Sequence, residues 1–128
     1  MFRKSVIVLG CVLASGGTFA QDRKPFTAAE MQALLAKGLV VASSDLDGGK
    51  VFTGRVTLSA DGKLSGTITP AGDKAIALSG AWKLKGAQLC RTIEPIEPDE
   101  VCETWLRTGP KEAVIQVNGK NASINKWQ

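Results

Sequence analysis

Histidine and tyrosine are both missing from this chain of 128 residues. Without imidazole, neither a Ser-His-Asp nor a Cys-His nucleophile can be assembled, and a zinc site built on histidine is excluded. Carboxylates can still act as acids or bases, so the lack of histidine narrows enzyme chemistry without closing it. Cysteine is scarce, with Cys11, Cys90 and Cys102 alone. Positive charge is never concentrated. The formal charge is +4, but Lys and Arg are scattered, with no basic run or basic helix face, so nucleic acid is excluded as a partner. No Gly-Lys pair carries the upstream glycine that a phosphate-binding loop requires. These absences point to a non-enzymatic domain with no cofactor.

Long apolar runs are lacking too. The longest, Ser5 to Gly17, is too short to anchor in a bilayer. It follows Arg3 and Lys4 and precedes the small-residue stretch Thr18-Phe19-Ala20. That is the pattern of a secretory signal peptide over residues 1–20, cut before Gln21. Val8-Leu9-Gly10-Cys11 also resembles a lipoprotein cleavage box, but its apolar lead is short, and a soluble mature chain is the expected form. Cleavage removes Arg3, Lys4 and Cys11, leaving a charge of +2 and an even pair of thiols. An exported chain with two cysteines is a disulfide candidate. The predicted location is periplasmic or secreted, with no stable membrane span after cleavage. Residues 21–128 form one domain.

What is present reads as one helix followed by strands. Thr27-Ala28-Ala29-Glu30 is a capping box, and Phe26 and Met31 are spaced as a hydrophobic staple. Met31, Leu34 and Leu35 make one apolar stripe and Gly38 suits a left-handed cap, so the helix is placed at 28–37. Beyond Gly38, apolar and polar residues alternate. Phe52, Gly54, Val56 and Leu58 share one face, then Leu64, Gly66 and Ile68, then Ile76, Leu78, Gly80, Trp82 and Leu84. Asp61-Gly62 and Asn118-Gly119 are hairpin signals. The fold class is all-β: an antiparallel meander of about eight strands, barrel-like because closure removes exposed edges, with one short N-terminal helix. A two-sheet sandwich is the alternative.

Cys90 and Cys102 lie on strands predicted to flank a loop from Glu94 to Glu100, and a structural disulfide at its base is the reading. A redox-active pair is the alternative, but the Cys-x-x-Cys spacing is missing. Glu94, Glu97, Asp99 and Glu100, with Glu103 beyond, form the one dense acidic cluster. They could dock a partner, but they match no calcium-loop spacing, and no metal site is assigned. Asp45-Leu46-Asp47-Gly48 has Val56 where a calcium loop needs Glu, and reads as a hairpin turn. Gly80-Ala81-Trp82 reads as packing. Trp82, Trp105 and Trp127 are the candidates to line an apolar-ligand cavity. Ser123-Ile124-Asn125-Lys126 fits the Ser-x-x-Lys pattern, but on a strand the two side chains fall on opposite faces.

The stretches Phe26–Glu30, Ser59–Gly66, Leu78–Leu84 and Gln88–Cys90, with Cys102 opening a later strand, resemble small exported domains of uncharacterised function from Gram-negative bacteria. More distantly, the Gly-x-Trp and the cysteine pair are similar to the barrels of periplasmic metalloprotease inhibitors and lipocalins, although in lipocalins the Gly-x-Trp lies near the start of the chain. That family brings no established activity; export, the missing histidine, the expected disulfide and the strand-rich patterning point to a binding or interaction domain whose partner is an unknown protein or a small apolar ligand, with a protease inhibitor of the small-barrel type as the alternative. An inhibitor would use residues 21–25 as a mobile arm. An enzyme built on Glu94, Glu97 or Glu103 would need two acids converging in a cleft, one with a raised pKa.

Overall fold

The computed structural model describes residues 23–128; the predicted signal peptide and Cys11 lie outside the described residues. The chain opens with a two-residue strand β1 (Lys24–Pro25), followed by helix α1 (Ala28–Leu35) and eight strands: β2 (Leu39–Ser44), β3 (Phe52–Leu58), β4 (Lys63–Pro70), β5 (Ile76–Lys85), β6 (Gln88–Glu94), β7 (Glu97–Gly109), β8 (Glu112–Val117) and β9 (Lys120–Lys126). Strands β2 to β7 pair with their sequence neighbours, as do β8 and β9, all antiparallel. The β7–β8 and β2–β9 pairings close the ring, which is therefore an eight-stranded antiparallel barrel and not a sandwich.

The helix begins where its capping box lies. The Glu30 amide donates to Thr27 Oγ1 at 3.1 Å and the Thr27 amide to Glu30 Oε1 at 2.9 Å. It is shorter than predicted, ending at Leu35 with Ala36 as its C-cap, because Gly38 (φ +82°) already turns the chain and donates back to the Leu35 carbonyl. Met31 and Leu35 are fully buried and Phe26 nearly so. They close one end of the barrel together with Trp105 and Trp127, whose rings lie 5.9 Å apart, and with Phe26, 6.2 Å from Trp127. Two residues of the expected arm, Lys24 and Pro25, pair with Arg107 and Leu106 of β7, and the Phe26 amide donates to the Trp105 carbonyl.

Alternation sets the core. Leu58, Leu64, Leu78, Leu89, Ile93, Trp105, Ala113 and Ile115 point into one buried cluster with Val41. The Asn118-Gly119 turn takes positive φ at both residues (53° and 76°), the type I′ requirement for a two-residue hairpin. One segment departs from its reading. The predicted loop Glu94–Glu100 is mostly strand. The chain reverses at Pro95-Ile96, and Glu97 to Glu100 belong to β7. Between Arg91↔Val101 and Ile93↔Glu97, β7 spends two more residues than β6. Pro98 and its neighbours are thus absorbed as a bulge, which tolerates a missing amide and exposed acids at a sheet rim.

Candidate functional site

The barrel interior is unequally filled along its axis. At the helix end it is packed by aromatic and aliphatic side chains. In the middle lies a void of about 80 Å³ bounded by Val41, Leu58, Leu89, Trp105, Ile115 and Asn125, among others. At the opposite end a cavity of about 370 Å³ opens to solvent, walled by Phe52, Val56, Ile68, Leu78, Ile93 and Val117, with Ile96 on its rim. Its volume falls at the lower end of the range of small-molecule sites. Ser43, Val56, Arg91, Ile93 and Ser123 line both spaces. A register shift in the β8–β9 pair leaves Ala122 as an extra residue on β9 at this mouth.

One charged group stands where the two spaces meet. The run Leu89, Arg91, Ile93 alternates inward on β6, as Glu103 and Trp105 do on β7. Arg91 Nε donates to Glu103 Oε2 at 3.0 Å, and Trp105 Nε1 donates to Glu103 Oε1 at 2.9 Å. Both carboxylate oxygens are therefore held. Burial pushes the Glu103 carboxyl above its ordinary range, with the Arg91 charge and the Trp105 hydrogen bond pulling the other way. Arg91 Nη1 lies 2.8 Å from Glu97 Oε1, but off the N–H direction. This is an ion pair, and the buried nitrogen has no hydrogen-bond acceptor. Glu97 itself is exposed.

The residues singled out in the sequence are dispersed by this geometry. Trp105 forms part of the central void's wall, while Trp127 packs against it at the closed end. Trp82 is partly buried and donates from Nε1 to the Ser59 carbonyl, clamping the β3–β4 turn. None of the three borders the open cavity. Of the acids, Glu97 reaches Arg91, and Glu100 pairs on the outer surface with Lys85 (2.8 Å) and Lys83 (3.6 Å). Glu94 and Asp99 are exposed. Glu97 and Glu103 thus converge on one guanidinium, and Glu94 stays apart. Cys90 and Cys102 are joined as a disulfide between directly opposed positions of β6 and β7. Glu100 lies near both sulfurs, but the disulfide leaves neither as a free thiolate for a metal.

Arg91 and Ser43 were not identified from the sequence, and Ser123 stood out there only in the Ser-x-x-Lys pattern, not as a cavity residue. The available signal was a charged residue at an inward strand position between Leu89 and Ile93. Asp45 sits in the turn expected for it, accepting from the amides of Asp47 (2.8 Å), Val51 (2.7 Å) and Phe52 (3.0 Å). Those hydrogen bonds hold its pKa down at about 2. A broader hollow of about 630 Å³ lies outside the barrel along Lys24, Thr27, Glu30 and Arg107. Its walls mix charged and polar side chains with Pro25 and Pro110, and no aliphatic or aromatic side chain of the kind that lines a small-molecule site is among them. Among the described residues no helix is long and apolar enough to cross a membrane.

Comparison with protein-family models, with characterised proteins and with solved structures finds no match to this chain.

Proposed function

We propose that this protein is an exported, non-enzymatic binding domain that takes a small, mainly apolar ligand into the open end of its barrel. The observation that carries the reading is the cavity of about 370 Å³, walled by inward residues of several strands and open at the end opposite the helix. Apolar walls exposed to water at the bottom of a cup gain free energy when an apolar ligand covers them, about 25 cal/mol per Å². Export is supported by the sequence pattern of residues 1–20 and by the Cys90–Cys102 disulfide, which suits an oxidising compartment. The inhibitor reading relied on a free arm, and Lys24 and Pro25 are paired with β7.

The test uses N-phenyl-1-naphthylamine, a neutral probe that brightens in apolar surroundings. The mature chain is expected to bind it saturably. Ala122→Trp should fill the mouth and abolish binding, whereas Ala42→Trp, at an exposed position on β2, should leave it intact. Absence of saturable binding, or equal binding by both variants, contradicts the reading. For location, cell fractionation should recover a chain beginning at Gln21 outside the cytosol; a cytosolic chain retaining Met1 contradicts export.

One observation favours a second reading, in which Glu103 is a catalytic acid. It lies against a void, its pKa is raised by burial, and a second acid, Glu97, shares its cation. The pairing of both its oxygens supports the structural role instead. A hydrolytic or proton-transfer turnover lost in Glu103→Gln, with the fold retained, would favour the enzyme.

A further inference from the structure

We propose that Arg91 is the headgroup anchor of the open cavity, and that the preferred ligand is an apolar chain ending in a carboxylate, which takes the place of Glu97 on Arg91. The inference rests on the cavity reading above and names the class of ligand.

Among the described residues, Arg91 is the one cationic side chain lining either interior space. Its guanidinium is divided in its commitments. Nε is hydrogen-bonded to Glu103 inside the barrel, while Nη1 is buried, lines up with no acceptor, and is compensated in charge alone by Glu97. A buried N–H whose carboxylate partner lies out of line recovers only part of its desolvation cost. An incoming group that aligns with it recovers the remainder, which gives the cavity a preference for an acceptor at this position.

Glu97 is built to be exchanged. It is the first residue of β7, next to the Pro95-Ile96 turn and at the start of the bulge, and it is exposed where Glu103 is buried. Only the Glu97 side of the pair faces solvent, so Glu97 regains its hydration when it swings away, whereas the Arg91 side stays buried. The space beside Nη1 already accommodates a carboxylate, so a ligand carboxylate fits the same volume and leaves the local charge unchanged when Glu97 turns to solvent. A carboxylate also matches the planar fork of a guanidinium better than a single acceptor does. The apolar chain would lie along Phe52, Val56, Ile68, Leu78 and Val117, toward the rim.

The test is competition against N-phenyl-1-naphthylamine by decanoate and by 1-decanol, which share a chain and differ in the headgroup, at a pH where decanoate is ionised. Decanoate is expected to bind roughly tenfold more tightly than decanol, the ratio of one charge-assisted hydrogen bond. Glu97→Gln removes the competing carboxylate from an exposed position and should raise the decanoate-to-decanol ratio severalfold. Arg91→Gln/Glu103→Gln, which replaces the buried pair by neutral groups, should bring the ratio to about one. A ratio near one in the wild-type chain, unmoved by Glu97→Gln, overturns the anchor while probe binding leaves the cavity reading standing. If the double variant does not fold, Glu97→Gln decides alone. Failure of the probe itself to bind overturns the cavity reading and the anchor with it.

Discussion

Arg91 and Glu103 meet inside the barrel as diagonal neighbours across β6 and β7, Nε to Oε2 at 3.0 Å, flanking the position where Cys90 and Cys102 oppose each other. Adjacent residues of a strand point to opposite faces. The disulfide therefore crosses the two strands on one face, and the register it covalently holds places the ion pair on the other.

Removing one partner of that pair leaves the other buried without compensation. Arg91→Met is expected to cost about 3–5 kcal/mol at neutral pH, and adding Glu103→Met should recover much of it. Urea unfolding of the single and double variants measures both. A single-variant cost below about 1 kcal/mol would contradict the burial of the pair.

Glu103 also has a pH signature. Its pKa is raised in the folded state from the ordinary 4.5, so the folded chain holds this proton more tightly than the unfolded one. Its burial is tolerated best below about 4.5, and stability falls as pH rises through the folded value. Glu103→Gln removes the titration. The stability of Glu103→Gln relative to wild type should improve as pH rises above the ordinary Glu range, and denaturation across a pH series checks the sign.

Asp45 behaves in the opposite way. Three backbone amides hold its pKa at about 2, below the ordinary 3.8. The stabilisation it contributes is complete above about 3.8 and is lost as pH falls toward about 2. Asp45→Asn should unfold with a shallower acid transition than wild type in that window. An unchanged acid transition would show that the turn does not depend on the carboxylate.

Much of this architecture was legible in the chain. The alternation of Phe52 to Leu58 and of Ile76 to Leu84 announced inward faces, and Thr27-Ala28-Ala29-Glu30 announced the helix start. Two things were not. Proline and clustered acid between Glu94 and Glu100 look like a loop, and only the bulge pairing turns them into a strand. The cavity was invisible for a more general reason. Whether inward side chains fill a barrel depends on how strands from distant parts of the sequence meet. Here the large residues Trp105, Trp127, Met31 and Phe26 gather at the helix end, while Gly54, Ser43 and Ser123 border the other. Local patterning records the alternation, not this gradient in size.

Glycine supplies another check. A Cβ placed on Gly80 would overlap the Thr92 carbonyl of the neighbouring strand, whereas one on Gly72 meets open space and bears only the strain of φ +75°. Gly80→Ala should destabilise the barrel by about 1–3 kcal/mol or more, as overpacking does. Gly72→Ala should cost about 1–2 kcal/mol, the left-handed penalty. Chemical denaturation of the two variants ranks them, and the reverse order would contradict the close approach of β5 and β6.

The disulfide spans a separation of 12 residues. Replacing both cysteines by alanine should lower stability by about 3 kcal/mol on the chain-entropy account. A variant as stable as wild type would show that the neighbouring strand pairings already restrain that segment.

The most direct test of the account is to map a bound apolar probe by amide chemical shifts in the mature protein. Titration with N-phenyl-1-naphthylamine is expected to move the amides of Phe52 to Val56, Thr67 to Ile68, Ile93 to Glu97 and Ala122 to Ser123, which border the open end. Shifts confined to the packed end around Trp82 and Trp127, or none at saturating probe, would contradict a ligand site in the barrel mouth.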